Sequence, residues 1–138
     1  MSSLIRFGVS LEKELLRKFD VRLKERNYTN RSEAIRDLIR EDLVQKEWQG
    51  GKEVTGAVTL LYNHHKRELL NRLMDIQHDY HDNILSTQHI HLDENNCLEI
   101  IVVKGRPKVT EELYTKLKSS KGVKHAGFAI STTGKEVI

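Results

Sequence analysis

Cysteine and long apolar stretches are scarce in this chain, and each scarcity excludes a class of structure. Cys97 is the only cysteine, so no disulfide can form within the chain. No apolar run approaches the length needed to cross a membrane, and the start, from Met1 to Arg6, lacks the apolar core of a signal peptide. The chain has no internal repeat and no low-complexity tract. We therefore expect a cytoplasmic protein with a reduced thiol and no membrane association.

An excess of one charge is also absent. The 23 basic and 20 acidic residues leave a formal charge of +3 over 138 residues. Any contact with nucleic acid must therefore come from local clustering rather than from a global field. With 38% hydrophobic and 31% charged residues, the composition suits one or two small soluble domains.

The segment from His89 to Cys97 carries the clearest chemical signal. Turn-forming residues, from Asp93 to Asn96, separate an alternating run from an apolar one, which predicts a β-hairpin. Residues two apart in a strand share a face, so His89 and His91 point the same way and the return strand brings Cys97 beside them. Taken singly, Cys97 is typical of a small core residue and each histidine of an exposed one. Together, two imidazoles and a thiolate favour a soft, nitrogen-rich metal site.

The first 46 residues predict one strand followed by two helices. Residues 4–10 alternate in polarity, Ser10 is a candidate helix N-cap, and Asn30 with Glu33 resembles a capping box. These elements are too small to bury a core alone, and the lone strand has an unpaired edge. Two copies that pair their strands and interlock their helices, a ribbon-helix-helix dimer, would solve both problems. A small helical hairpin with a frayed N-terminus is the alternative.

Residues 46–52 read as a linker with Gly50 and Gly51 as its flexible point, and Trp48 as a packing residue. We therefore expect a ribbon-helix-helix domain at 1–46 and a second domain at 53–138. The sequence pattern of the second domain predicts the element order β-α-β-β-α-β. This is the order of a ferredoxin-like fold, which belongs to the α+β class. Its expected elements are strands at 54–62, 84–92, 97–104 and 123–131, and helices at 66–80 and 108–119.

The apolar return strand predicts which face of the hairpin is covered. We expect one set to face the helices, namely Ile90, Leu92, Leu98, Ile100 and Val102. The other set would then face away from them, namely His89, His91, Cys97, Glu99, Ile101 and Val103. Since Ile101 and Val103 should not face water, a second copy of the sheet would cover that side. A partly exposed strand is the alternative.

Several segments together resemble the nickel-responsive ribbon-helix-helix regulators, and the match covers nearly the whole chain. They are residues 30–37, 77–78, 89–91, 97–100 and 122–125. The resemblance implies the ACT-type version of the ferredoxin-like fold, a homotetramer built as a dimer of dimers, and operator DNA as the partner. It also implies one Ni(II) per chain, bound by His89, His91 and Cys97 of one chain and His78 of another.

Ligand identity alone does not select the metal. Three histidines and a thiolate suit Zn²⁺ in a tetrahedral site, or Ni²⁺ or Cu²⁺ in a planar one, and only the resemblance selects nickel. Glu99 is a candidate partner for an imidazole N–H. His64, His65 and His81 are candidate accessory ligands or simply solvated residues. A regulator sensing zinc, copper, cobalt or a small ligand is the alternative function; an enzyme is disfavoured because a filled coordination shell leaves no open position for substrate.

Candidate DNA contacts come from two places in the first domain. A two-stranded ribbon fits the major groove, and its outward residues would be Arg6, Gly8 and Ser10. Arg6 suits a bidentate contact to guanine. Asn30, Arg31 and Ser32 stand at a helix N-terminus, whose amides favour phosphate. A solvated helix face is the alternative for Arg31.

Overall fold

The computed structural model describes residues 3–138, in two compact units of which the first ends at Glu41 and the second comprises Asp42–Ile138. Residues 3–10 form neither helix nor strand, and Ile5 and Phe7 are 86% and 70% exposed. The strand predicted at 4–10 is therefore absent from the single chain. A strand needs a hydrogen-bonded neighbour, and among the described residues of the first unit there is no strand to pair with, so the ribbon of two copies stays a prediction.

Two helices follow this segment, and one of the two predicted caps is wrong. Helix α1 is Lys13–Glu25, and its N-cap position is Glu12 rather than Ser10. Helix α2 is Arg31–Gly50. The Asn30 half of the predicted capping box is observed, because the Glu33 backbone N–H donates to Asn30 Oδ1 at 2.9 Å, whereas the Glu33 carboxylate lies 3.8 Å from the Arg36 guanidinium. The prediction of a linker at 46–52 is also wrong in part, because residues 46–50 are the last residues of helix α2.

Trp48 explains why the helix continues. Its side chain is 8% exposed, its ring packs edge-on against Phe128 at 5.3 Å between centroids, and its Nε1–H donates to the Ser131 carbonyl at 2.8 Å. These contacts bury the last turn of α2 within the second unit. They outweigh the poor helix propensity of Gly50, as tertiary packing commonly does. The prediction that Trp48 is a packing residue is confirmed.

The rest of the second unit has the predicted β-α-β-β-α-β order. The elements are β1 (Val54–Asn63), α3 (Arg67–Asp79), a 3₁₀ turn (His81–Asn83), β2 (Ile84–His91), β3 (Asn96–Gly105), α4 (Pro107–Lys118) and β4 (Val123–Ser131). The sheet order is β2-β3-β1-β4, with each neighbouring pair antiparallel. The α+β class and the ferredoxin-like arrangement are confirmed.

The predicted facing of the hairpin is wrong. Residues from one face of the sheet and from the two helices share a single core, namely Val58, Leu60, Tyr62, Leu69, Leu73, Cys97, Ile101, Val103, Leu113 and Leu117. The helices therefore cover Cys97, Ile101 and Val103, while Leu98, Ile100 and Val102 lie half-buried on the outer face. Both faces of β3 are apolar over residues 100–103. The sequence pattern consequently carried no information about which face the helices cover.

Candidate metal centre

Strand register brings the hairpin donors onto one face. His91 lies opposite Cys97, and Cys97 in turn lies opposite Tyr62 of β1. Two residues further from the turn on each strand, His89 lies opposite Glu99. Directly opposed residues in a sheet point to the same side. His89, His91 and Cys97 therefore all stand on the face that carries the helices.

The three donors differ in their access to solvent. Cys97 is 1% exposed and belongs to the core. His89 and His91 are exposed because β2 is an edge strand of the sheet. The hairpin thus combines a buried thiol with two accessible imidazoles at the border of the core. This donor set fits a soft divalent transition-metal ion.

The carboxylate of Glu99 is buried next to the hairpin donors. Glu99 is 1% exposed, and both of its oxygens accept hydrogen bonds. The Tyr62 hydroxyl donates to Oε1 at 2.5 Å and Gln77 Nε2 donates to Oε2 at 2.7 Å. His89 Nδ1 lies 3.8 Å from the same Oε1. Burial and, next, the bond to Glu99 raise the pKa of the Tyr62 hydroxyl, so it remains a proton donor here.

His78 stands apart from the hairpin donors. It lies in the last turn of α3, is exposed, and its carbonyl oxygen is 3.0 Å from His81 Nδ1. Among residues 3–138, no three His, Cys, Asp or Glu side chains are close enough to hold one ion. The four predicted ligands are therefore not assembled in the single chain.

His64 has a position that the sequence did not reveal. Its ring lies parallel to that of His91, with 4.4 Å between centroids and 4° between planes. His65 also packs against His64, with 4.1 Å between the ring centroids and 44° between the planes. The available signal was the chain order, because β1 ends at Asn63, and Asn63 pairs with Asn96 at the hairpin turn. His81 instead lies near His78, 5.9 Å away between centroids.

The predicted DNA-contacting residues fall into two groups in the first unit. Arg6, Gly8 and Ser10 are exposed in the segment before α1. Asn30 caps α2, and Ser32 is exposed in its first turn. Arg31 forms a bidentate ion pair with Asp20, with two N···O distances of 2.9 Å. This pair lowers the pKa of Asp20, so any phosphate would compete with a carboxylate for Arg31.

No helix in the described range 3–138 is long and apolar enough to span a membrane. Two family models match the chain, and each one falls on a different part. Residues 5–46 match the ribbon-helix-helix proteins of the copG family, and residues 55–131 match the NikR C-terminal nickel-binding domain.

Curated relatives match the chain from end to end. A protein of Syntrophus aciditrophicus is 59% identical over 97% of this chain and 98% of its own length. One from Pyrococcus furiosus is 52% identical over 98% of this chain and 99% of its own. Both carry the name "Putative nickel-responsive regulator".

One solved structure supports the fold alone. An uncharacterized protein of Thermotoga maritima superposes with a TM-score of 0.53 at 16% identity, covering 57% of this chain and 98% of that one. The two family models and the full-length relatives identify the protein more closely. The chain belongs to the NikR family of nickel-responsive ribbon-helix-helix regulators.

Proposed function

We propose that the protein is a homotetrameric nickel sensor that binds operator DNA when Ni(II) is bound. Each chain would hold one Ni(II) through His89, His91 and Cys97, completed by His78 of the partner subunit. The observation that carries this proposal is the placement of two imidazoles and a thiol on one face of one hairpin. When bound, nickel would supply a fixed point that joins four donors from two chains.

The need for a second chain follows from what one chain offers. Within residues 3–138, no three donors are close enough for one ion, and His78 is exposed at the end of α3. His89 and His91 are exposed on the edge strand β2, where another chain has access to them. A site shared between subunits uses both accessible surfaces and makes metal binding depend on assembly.

Glu99 would orient His89. A ligating histidine commonly donates its other ring N–H to a carboxylate, which fixes the tautomer and the ring orientation. Glu99 Oε1 is held in place by Tyr62 and lies 3.8 Å from His89 Nδ1. An Nδ1–H directed at this oxygen leaves Nε2 of His89 free to bind the metal.

The outer face of the sheet offers a surface through which the second units of two chains would associate. Leu61 on β1 and Leu98, Ile100 and Val102 on β3 are half-buried there, on the side away from the helices. An apolar sheet face is commonly covered by another protein surface, and a second copy of the same sheet would cover it symmetrically. In the first unit, the exposed apolar residues of the segment 4–10 would pair with those of a second chain, so each chain has two contact surfaces.

DNA recognition would use the paired segments. In a ribbon of two chains, Arg6 would face the bases, with Gly8 and Ser10 beside it, while Asn30, Arg31 and Ser32 would meet the backbone. Nickel would favour the arrangements of the tetramer in which both ribbons reach their half-sites, without touching DNA itself.

A DNA-binding titration tests the proposal. The wild-type protein, Cys97→Ser and the control His125→Ala would be titrated into a random duplex pool at fixed salt, with Ni²⁺, Zn²⁺, Cu²⁺ or no metal. The duplexes retained would then be sequenced. We expect nickel to select defined duplexes with the wild type and with His125→Ala, but not with Cys97→Ser. Selection that is independent of metal, or equally strong with Cys97→Ser, would refute the sensor function.

A subunit-mixing experiment tests the shared site. Chains carrying His78→Ala and chains carrying Cys97→Ser should each lack tight nickel sites. Co-refolded mixtures should recover part of them, since each mutation damages a different half of a shared site. Mixed tetramers that are verified by mass but recover no tight site would place all four ligands in one chain.

A further inference from the structure

The imidazole of His64 is stacked on a proposed nickel ligand, and its position is set by the hairpin itself. The His64 backbone N–H donates to the Asn95 carbonyl at 3.0 Å. This bond ties the residue after β1 to the turn between β2 and β3. The parallel contact with His91, at 4.4 Å and 4°, is therefore made between two anchored segments.

His65 also contacts the His64 ring, with 4.1 Å between the ring centroids. Its backbone N–H donates to Asn63 Oδ1 at 2.9 Å, and its ring Nε2 lies 2.9 Å from the Glu94 carbonyl oxygen. The His64 ring thus contacts two other imidazoles. Its Nε2 is buried and has no hydrogen-bond partner among residues 3–138. The backbone bond to Asn95 therefore places the residue, while its ring contacts the rings of His91 and His65.

We propose that His64 sets the nickel affinity by holding His91 away from its metal-binding position in the metal-free protein. The proposal rests on the ligand set proposed above. Since no three donors in the described chain are close enough for one ion, the hairpin donors must rearrange before they bind one ion together. His91 is the donor whose ring is stacked on His64, so a movement of His91 towards the metal would break the stack. An ordinary aromatic pair corresponds to roughly a two- to tenfold change in an equilibrium constant.

Two substitutions separate stacking from ligation. His64→Ala removes the ring, whereas His64→Phe keeps a flat ring but has no nitrogen. We expect His64→Ala to bind Ni²⁺ about two- to tenfold more tightly than the wild type, as judged by competition with a chelator. His64→Phe should match the wild type or bind more weakly, and the control His125→Ala, an exposed histidine of β4, should match it. Unchanged or weakened binding in His64→Ala would overturn the proposal, and weakened binding in both His64 variants would indicate a ligand instead.

A second measurement needs no nickel. In the metal-free protein, NMR should detect ring-to-ring contact between His64 and His91, and the His91 ring protons should lose shielding in His64→Ala but not in His64→Phe. The absence of this contact would refute the stack.

His91→Ala separates the two proposals. If it leaves nickel affinity unchanged, the ligand set has failed and the His64 proposal falls with it. If it abolishes tight binding while His64→Ala does not tighten binding, only the proposal on His64 fails.

Discussion

Replacing Glu99 with glutamine removes the buried negative charge behind His89 and changes the side-chain volume very little. In the wild type, one oxygen accepts from Tyr62 and the other from Gln77. Glutamine offers one carbonyl oxygen and one amino group, so one donor must adjust. The Tyr62 hydroxyl can rotate to accept, and the Gln77 amide can flip. The core should therefore survive, with the free energy of unfolding reduced by about 1–2 kcal/mol from the loss of charged hydrogen bonds.

The effect of Glu99→Gln on nickel should be larger than its effect on stability. Loss of a carboxylate that orients a ligating histidine typically weakens metal binding by about 10- to 100-fold. Glu99→Ala would be less informative, because it leaves both donors buried without acceptors at about 1–3 kcal/mol each. That loss is a large fraction of a typical domain stability of about 5–15 kcal/mol, so poor folding would obscure any effect on the metal.

The assay compares nickel affinity by chelator competition with thermal unfolding of the metal-free protein. Glu94→Gln is the matched control, because Glu94 is an exposed carboxylate in the turn of the same hairpin. It should change neither quantity. A folded Glu99→Gln variant with wild-type nickel affinity would show that the carboxylate does not orient His89, and the account of this site would need another support for the ligand.

Three further predictions concern other parts of the molecule. Trp48→Ala should lower the free energy of unfolding by about 3–5 kcal/mol, measured by denaturant titration, because it empties a buried aromatic site; a loss below 1 kcal/mol would contradict the packing role. The side chain and backbone of Asn96 hold the pKa of Asp93 at about 2, below its ordinary 3.8, so the stabilisation is complete above that ordinary value and is lost as the pH falls towards 2. The melting temperatures of wild type and Asp93→Asn should therefore converge between pH 4 and pH 2, and a constant difference would refute this. Arg6→Ala should cost about 1–3 kcal/mol on selected DNA and relax base preference, whereas Arg31→Ala should weaken all duplexes alike and flatten the salt dependence; equal losses for Arg6→Ala on selected and random DNA would argue against base reading.

Much of the second unit could be predicted because its signals are local. The turn residues at 93–96 and the apolar stripes of α3 and α4 placed most element boundaries within one or two residues of those observed. The close pairing of His89 with Glu99 and of His91 with Cys97 follows from the length of that turn. Period-two alternation then made the shared face of these residues predictable.

The errors arise where long-range contacts decide. The prediction of which hairpin face the helices cover was wrong because β3 is apolar on both faces over residues 100–103. Only the packing of the helices decides which of these faces is buried. The predicted end of α2 was wrong because Trp48 packs against Phe128, which is 80 positions further along the chain. The strand predicted at 4–10 is not formed in the single chain, and its pairing with a second chain stays a prediction. His64 was predicted only as a candidate accessory ligand or a solvated residue. Its contact with His91 was missed because the two residues are distant in sequence and are brought together only by sheet pairing.

Reciprocal coupling between nickel and DNA tests the central claim most directly. The nickel dissociation constant would be measured with and without a saturating duplex selected from a random pool, and the DNA dissociation constant with and without saturating nickel. Linkage requires the two ratios to be equal, and a coupling of about 1–3 kcal/mol gives roughly 5- to 150-fold. We predict equal ratios in this range for the wild type, and no tight nickel site to couple in Cys97→Ser. A nickel affinity that is identical with and without DNA, in folded wild-type protein, would contradict the account.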